Sequence, residues 1–334
     1  MVYLADEKRY EKMAYRRCGR SGLMLPALSL GMWHNFSQDD CYGNMKKLVH
    51  KAFDLGITHF DISNTYGPPK GAAEQYFGQM LKEDMMPYRD QIVISTKAGY
   101  YAWEGPYGEW CSRKHVLSSI DKSLKHLGLD YVDIFYSHRP DPDTPIEETC
   151  GAYDTAIRQG KALYVGISNY SAEQTAAAIK EFRRLGTPFV IHQSMYNIFD
   201  RMVEENGLKE LLEEEKLGMI AYSPLCQGLL TDRYLNGIPE DSRAGRNLSP
   251  FLKKSQITPE KVAQIRKLND LALERGQTLA QMSLAWLLHQ GMASVLIGAS
   301  KTSQLEDSCR CLENMEFSQE ELARIDQIVN AHAC

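Results

Sequence analysis

Short runs of apolar and β-branched residues recur along the chain at 27–30, 57–60, 92–95, 132–136, 162–167, 189–193, 218–221 and 295–297. Their length suits strands buried on both faces. Stretches with helical spacing lie between them. Leu48, Ala52, Phe53 and Leu55 run up to Gly56, a helix stop. Leu117, Ile120, Leu124 and Leu127 repeat at i, i+3 or i+4 before Gly128. Ser171 is placed to cap a helix that opens Ala172-Glu173-Gln174. Thr278 is placed to cap residues 279–289, where Met282, Ala285, Trp286 and His289 share one face.

Eight strands alternating with helices, without a Pro/Ser-rich linker between them, imply a parallel sheet covered on every face. Eight such units over roughly 300 residues predict an α/β chain closed as a (β/α)8 TIM barrel, one domain spanning 1–334. The competing doubly wound sheet lacks its signature: no G-x-G-x-x-G follows the first strand and no Walker A sequence occurs. Two segments fall outside the units. Residues 13–25 (MAYRRCGRSGLML) read as an N-terminal β-hairpin that plugs the barrel bottom. Residues 226–258, with Gly228, Gly237, Pro239, Gly245 and Pro250, form a long connection after the seventh strand. A connection of that length is functional or disordered, and this is where barrels bind phosphate groups.

Composition narrows the partners. The chain has 334 residues, 43% hydrophobic and 24% charged, enough for a sizeable core. With 38 basic against 43 acidic residues the net charge is −5, which argues against nucleic-acid binding by phosphate neutralisation. No run of about 18 apolar residues offers a membrane span. The start, Met1-Val2-Tyr3-Leu4-Ala5-Asp6-Glu7-Lys8, lacks a signal-peptide core. Cysteines at 18, 41, 111, 150, 226, 309, 311 and 334 form no CxxC pair and read as reduced thiols of a cytoplasmic protein. A metal-dependent barrel hydrolase is disfavoured, because neither H-x-H at the end of strand 1 nor HExxH occurs.

In such barrels the active site lies at the C-terminal ends of the strands. Just past consecutive apolar runs stand Asp61, Tyr66, Lys97 and His138. A free tyrosine titrates near pH 10, and a lysine cation beside it would favour the phenolate. An aspartate would pair with the lysine and offset the cost of burying its charge. A histidine beside the phenol could orient a substrate carbonyl. Taken singly, Asp61 and Lys97 also read as a structural ion pair, Tyr66 as a loop tyrosine and His138 as a satisfied core histidine. Four in order at consecutive strand ends point to one pocket.

The segments FDISNTYG, ISTKAG and YSHR carry these residues, and in that order the sequence resembles the aldo-keto reductases. Gly166-Ile167-Ser168-Asn169, Ile191-His192-Gln193, Ala221-Tyr222-Ser223-Pro224-Leu225 and Ile297-Gly298-Ala299-Ser300 extend the resemblance from about residue 14 to residue 330. LPALSLGMWHNF, YGPPKGAAE, QGLLTDRYLNGIPEDSRA and LIGASKTSQLED are similar to the branch holding bacterial L-glyceraldehyde 3-phosphate reductases and potassium-channel β subunits. GPPKG, the 103–113 loop and SHRPDPDTPIEET favour the bacterial reductase side; the channel side usually lacks the histidine supplied by His138.

The resemblance implies Tyr66 as general acid, Lys97 and Asp61 as its tuners, and His138 as substrate orienter. It implies NADP(H) as cofactor and a small-molecule carbonyl substrate, such as glyceraldehyde 3-phosphate or methylglyoxal. Ser168, Asn169 and Gln193 would bond the nicotinamide carboxamide, and Tyr222 would stack on its ring. Ser223, Leu225, Gln227 and Gly228 would follow the pyrophosphate, with Arg233 and Arg243 closing the 226–258 loop over it. Gly298, Ser300, Lys301 and Gln304 would hold the 2′-phosphate at a helix N-terminus, which favours an anion on physical grounds. Asp307 and Ser308 stand where the family often has Glu-Asn, and would touch adenine with a shorter carboxylate and without the amide. Cys226 stands where alanine is common and reads as a buried small residue.

On the substrate side, Trp33, Tyr100, Tyr101, Trp103 and Trp110 either wall a pocket or pack the barrel top. Trp33 is also expected beside the cofactor. Arg139, Arg113 and Lys114 either meet an anionic substrate group or are solvated charge. The alternative to a reductase is an NADP(H)-binding regulatory subunit with slow or no turnover. The resemblance further implies a homo-oligomer, a tetramer or larger.

Overall fold

Eight parallel strands close on themselves in the computed structural model, which describes residues 3–240, 242–246 and 251–330. Met1, Val2, Pro250 and Cys334, noted above, lie outside the described residues. Strands β1 (Tyr15–Arg17) and β2 (Met24–Pro26) pair antiparallel as the expected hairpin. The barrel runs β3 (Leu28–Gly31), β4 (His59–Asp61), β5 (Val93–Ala98), β6 (Val132–Ser137), β7 (Ala162–Ser168), β8 (Phe189–Met195), β9 (Gly218–Tyr222) and β10 (Ser294–Ile297). Each strand overlaps a predicted apolar run, and β10 pairs with β3 to close the TIM barrel.

The helices are α1 (Tyr42–Asp54), α2 (Ala72–Met80), α3 (Arg113–Leu127), α4 (Ile146–Arg158), α5 (Ala172–Leu185), α6 (Met202–Glu205), α7 (Leu208–Glu214), α8 (Arg243–Arg246), α9 (Pro259–Glu274), α10 (Leu279–His289), α11 (Thr302–Cys309) and α12 (Gln319–Asn330). Ser171 caps α5 and Thr278 caps α10, each in a reciprocal bond with the glutamine three residues on. Gly128 ends α3 at φ 67°. Helix α10 departs from its one-faced pattern: nearly every residue from Leu279 to Leu288 is buried, and His289 is exposed. It is packed by α9, α11 and β10 together, so no side is left for water.

The hairpin does plug the barrel. Cys18 and Leu25, both fully buried, pack with Ile134, Tyr136, Ile191, Ile220 and Leu296. The Cys18 thiol contacts Val190 O at 3.3 Å, and a Cβ on Gly218 would lie 2.3 Å from its sulfur. Both contacts are at strand starts, so the plug sits at the end opposite the C-terminal mouth. The connection after β9 is tied down by buried Leu230, Tyr234, Ala244 and Leu252. Cys18, Cys41, Cys111, Cys150, Cys226, Cys309 and Cys311 are free thiols. Among the described residues no helix is long and apolar enough to cross a membrane.

Candidate active site

The barrel register sets Asp61 beside Ser95 and Lys97 beside Tyr136, so Asp61 and Lys97 stand at neighbouring strand ends. His138 directly follows β6, and its N–H bonds Ala98 O at 2.8 Å. Tyr66 comes from the turn beyond β4. Its N–H bonds Ser63 O at 3.1 Å, while its own carbonyl accepts from Gly71 N at 3.1 Å and Ala73 N at 3.3 Å. These bonds pin Tyr66 between the strand and the first turn of α2. Gly67 makes the turn possible: its φ is 116°, and a Cβ there would lie 2.5 Å from Pro69 O.

Lys97 is fully buried, and each of its three N–H groups has an acceptor. They donate to Asp61 Oδ2 at 2.5 Å, Ile62 O at 2.7 Å and the Tyr66 hydroxyl oxygen at 3.5 Å. Asp61 also accepts from Ser95 Oγ at 2.6 Å and Gln193 Nε2 at 3.2 Å, both on Oδ1. Burial pulls Lys97 below its ordinary range, and Asp61 pushes back. Burial holds the Tyr66 phenol well above 10, with Asp61 adding to the rise. The downward pull expected from Lys97 is therefore overridden. Asp61 already balances the ammonium, and desolvation penalises the phenolate more than a shared cation relieves it.

His138 is 8% exposed. Its Nδ1 lies 3.2 Å from Ser63 Oγ, and its ring meets Tyr100 edge-on at 4.6 Å and Tyr66 at 5.9 Å. Burial pushes the imidazole well below 6.5, and the Lys97 and Arg139 charges push the same way, so the ring is neutral at pH 7. Asn169, at φ 63°, bonds His138 O at 2.9 Å and accepts from the Tyr222 hydroxyl at 2.7 Å. It thereby links β6, β7 and β9 around the mouth.

The residues expected at a cofactor share this rim. Ser168 ends β7, Gln193 lies in β8 and Tyr222 ends β9. Ser223, Gln227 and Gly228 follow with φ of 53°, 58° and 98°, and Leu225 lies among them. Strained backbone of this kind gathers at ligand clamps. Arg243 Nη1 donates to Gln227 Oε1 at 2.5 Å, drawing α8 back over the segment, and Gln227 Nε2 bonds Ser223 Oγ at 3.2 Å. Arg233 stands on the exposed side of the segment. At the N-terminus of α11, Gln304 Oε1 accepts from Ser300 N at 2.8 Å and Lys301 N at 3.2 Å, beside Gly298. A helix start, Lys301 and two arginines near the rim form a donor set whose chemistry suits the phosphate groups of a dinucleotide. Asp307 turns inward instead, accepting from Gln281 Nε2 at 2.6 Å, while Ser308 sits half-buried beside it.

The aromatic candidates divide. Trp33 is 39% exposed, 6.5 Å from the Tyr66 ring and 5.2 Å from Phe251. Tyr100 and Tyr101 are similarly open, and Tyr101 carries the Lys70 ammonium at 3.6 Å. Trp103 instead stacks on His115 at 4.6 Å, and Trp110 lies under Arg139 at 3.7 Å. Arg139 is committed: it bonds Gly99 O at 3.1 Å and Glu109 at 2.5 Å. An anionic substrate group would have to compete with Glu109 for it. Arg113 reaches Gly151 O and Thr155 Oγ1 on α4, and Lys114 lies 5.6 Å from the Tyr107 ring.

Ser63 and Ser95 escaped the sequence reading although both lie inside the motifs that carry it. Their signal is the period of two: Ser63 is two residues past Asp61, and Ser95 is two before Lys97 on one strand face.

Comparison with known proteins agrees with the resemblance. A family model described as "Aldo/keto reductase family" matches residues 27–330. The chain is 53% identical over 330 residues to the L-glyceraldehyde 3-phosphate reductase of Escherichia coli strain K12, covering 98% of this chain and 95% of that protein. It is 35% identical over 304 residues to a "probable voltage-gated potassium channel subunit beta" of Oryza sativa subsp. japonica, covering 90% and 92%. A protein of Arabidopsis thaliana with the same description matches at the same identity and coverage.

Proposed function

Because the chain belongs to the aldo/keto reductase family, we propose that it reduces small aldehydes or ketones to alcohols with NADPH, Tyr66 giving the proton. The observation that carries this reading is the disposition of Lys97. Two of its donors are held by Asp61 and Ile62, and the third faces the Tyr66 oxygen. Among the described residues the Tyr66 hydroxyl donates to no acceptor, so its proton is left for a substrate oxygen. A phenol raised above 10 keeps that proton at pH 7 until negative charge develops on the substrate. As it leaves, the Lys97 ammonium stabilises the forming phenolate, and Asp61 keeps Lys97 charged. His138, neutral, offers one ring N–H to the same carbonyl oxygen.

NADPH supplies the hydride when bound. Ser168, Asn169 and Gln193 would hold its carboxamide, and the Tyr222 ring would support its nicotinamide. Ser223, Leu225, Gln227, Gly228, Arg233 and Arg243 would follow its pyrophosphate; Gly298, Ser300, Lys301 and Gln304 would take its 2′-phosphate. Asp307 and Ser308 would reach adenine only if the Gln281 bond opens. Trp33, with Tyr100, would wall the substrate side, and Arg139 would brace it from behind. The relative named L-glyceraldehyde 3-phosphate reductase makes that compound the first substrate to test. The reading extends to a cytoplasmic homo-oligomer acting as one barrel domain, and light scattering tests the assembly.

Absorbance of NADPH is followed against glyceraldehyde 3-phosphate, methylglyoxal and an aromatic aldehyde, with NADH as control. Turnover with NADPH is expected, and Tyr66→Phe should lower kcat by about 10²–10⁴-fold, the range of a lost general acid. Tight NADPH binding without turnover on any carbonyl would support a regulatory subunit instead, the reading favoured by similarity to proteins described as potassium channel β subunits.

A further inference from the structure

A row of buried polar groups crosses four adjacent strands beneath Asp61. Ser294 Oγ on β10 lies 2.6 Å from Ser29 Oγ on β3. Ser29 Oγ lies 2.9 Å from Nδ1 of His59 on β4, and His59 Nε2 lies 3.0 Å from Ser95 Oγ on β5. Ser95 Oγ ends the row on Asp61 Oδ1 at 2.6 Å. Ser29, His59, Ser95 and Ser294 are all fully buried, so their polar atoms depend on partners inside the protein; among the described residues the one contact outside the row is Ser294 Oγ to Ala27 O at 3.5 Å.

Counting protons fixes the direction of every bond. Asp61 faces Lys97, Ser95 and Gln193, donors all, and accepts from each. Ser95 has one proton and gives it to Asp61, so the contact with His59 Nε2 has to be a donation from the ring. Nε2 therefore carries hydrogen. A neutral ring then has a bare Nδ1, to which Ser29 donates. Ser29 has spent its proton, so at 2.6 Å it accepts from Ser294, whose other acceptor, Ala27 O, lies farther off at 3.5 Å. Burial supports the neutral ring, pushing His59 down to about 4.

We propose that His59 is a positioning residue of the active site: held as the Nε2–H tautomer by Ser29, it orients Ser95 and, through it, Asp61. Asp61 Oδ1 is thus kept for Ser95 and Gln193, and Oδ2 for Lys97. Hydrogen bonds aligned in one direction polarise one another, so the row strengthens the bonds on Asp61 beyond a lone hydroxyl. The positioning role rests on the reductase reading; the tautomer does not.

Nitrogen-15 NMR of histidine-labelled protein at pH 7 tests the tautomer, with His59→Gln identifying the His59 signals. Protonated Nε2 and bare Nδ1 are expected; a proton on Nδ1 overturns the proposal. Steady-state kinetics test the role. His59→Met keeps the volume and loses the donor, and should lower kcat about tenfold with both KM values within about twofold. His59→Gln restores an N–H and should recover most of that loss. Should His59→Met fail to fold, Ser29→Ala, which leaves His59 Nδ1 without its donor and the ring less firmly held, is expected to lower kcat about threefold. Unchanged kcat in the folded variant overturns the positioning role. The expected tautomer in a chain that reduces no carbonyl supports the directed row but overturns the reductase reading and the positioning role with it.

Discussion

At the scale of single residues, the site works by counting donors and acceptors. Lys97 has three protons and three acceptors, and only the third reaches Tyr66. His138 depends on Ser63 in the same way. Thr65 Oγ1 lies 3.1 Å from Ser63 Oγ, and Ser63 Oγ lies 3.2 Å from His138 Nδ1. When Thr65 donates to Ser63 and Ser63 to Nδ1, the proton of the neutral ring sits on Nε2, free for a substrate oxygen. Ser63→Ala removes that fixation. A hydrogen bond of this kind is worth about 1 kcal/mol, so kcat/KM for the carbonyl should fall about fivefold. NADPH affinity, read by fluorescence titration, should stay unchanged; an unaltered kcat/KM would show that Ser63 does not set the ring. The gathering of Asp61, Tyr66, Lys97 and His138 was legible in the sequence because they stand at or just past consecutive strand ends. The raised Tyr66 phenol was not, because the balance between burial and the Lys97 charge depends on Asp61 sitting 2.5 Å from that charge. Nor was the Arg139 pairing with Glu109, which joins two loops thirty residues apart without any periodic signal.

At the scale of elements, the strands were legible because burial on both faces writes them as uninterrupted apolar runs. The caps of α5 and α10 were legible because Ser171 and Thr278 each precede a glutamine at the third helical position; Ser112 and Thr258, which cap α3 and α9, were not read. Full burial of α10 was not, since it follows from three partners that only the closed barrel assembles. One helix contact bears on the chemistry. Gly78 on α2 faces the C-terminal end of α3, and a Cβ there would lie 2.2 Å from His126 O and 2.9 Å from Leu127 Cα. Backbone atoms cannot swing aside as a side chain would, so Gly78→Ala has to push α2 outward. The start of α2 holds the Tyr66 carbonyl through Ala73 N. The variant should lose about 1–3 kcal/mol of stability, the usual cost of overpacking, seen as a lower guanidinium midpoint. Its kcat should fall while NADPH binding persists, because Tyr66 moves and the β7–β9 rim does not. A midpoint equal to that of the unaltered chain would mean the two helices are not in contact at Gly78.

At the scale of the whole molecule, buried histidines set how the fold responds to acid. His59 and His192 are both fully buried and both lowered from 6.5 to about 4 by burial. In the unfolded chain each binds a proton as pH falls through about 6.5, whereas in the folded chain each stays neutral until about 4. Between these values the unfolded state holds more protons, so stability falls with falling pH, and below about 4 the loss levels off. Each histidine contributes on the order of 3 kcal/mol to that fall. General charge repulsion does not compete in the upper part of this window, because the isoelectric point is about 6.0 and net charge there is near zero. The unfolding midpoint in guanidinium should therefore drop steadily from pH 6.5 to pH 4.5. His192→Gln removes one of four strongly lowered histidines, His34, His59, His138 and His192, while leaving the His59 row untouched, and should flatten the slope by up to about a quarter. A slope identical to that of the unaltered chain would mean His192 takes up its proton in the folded state.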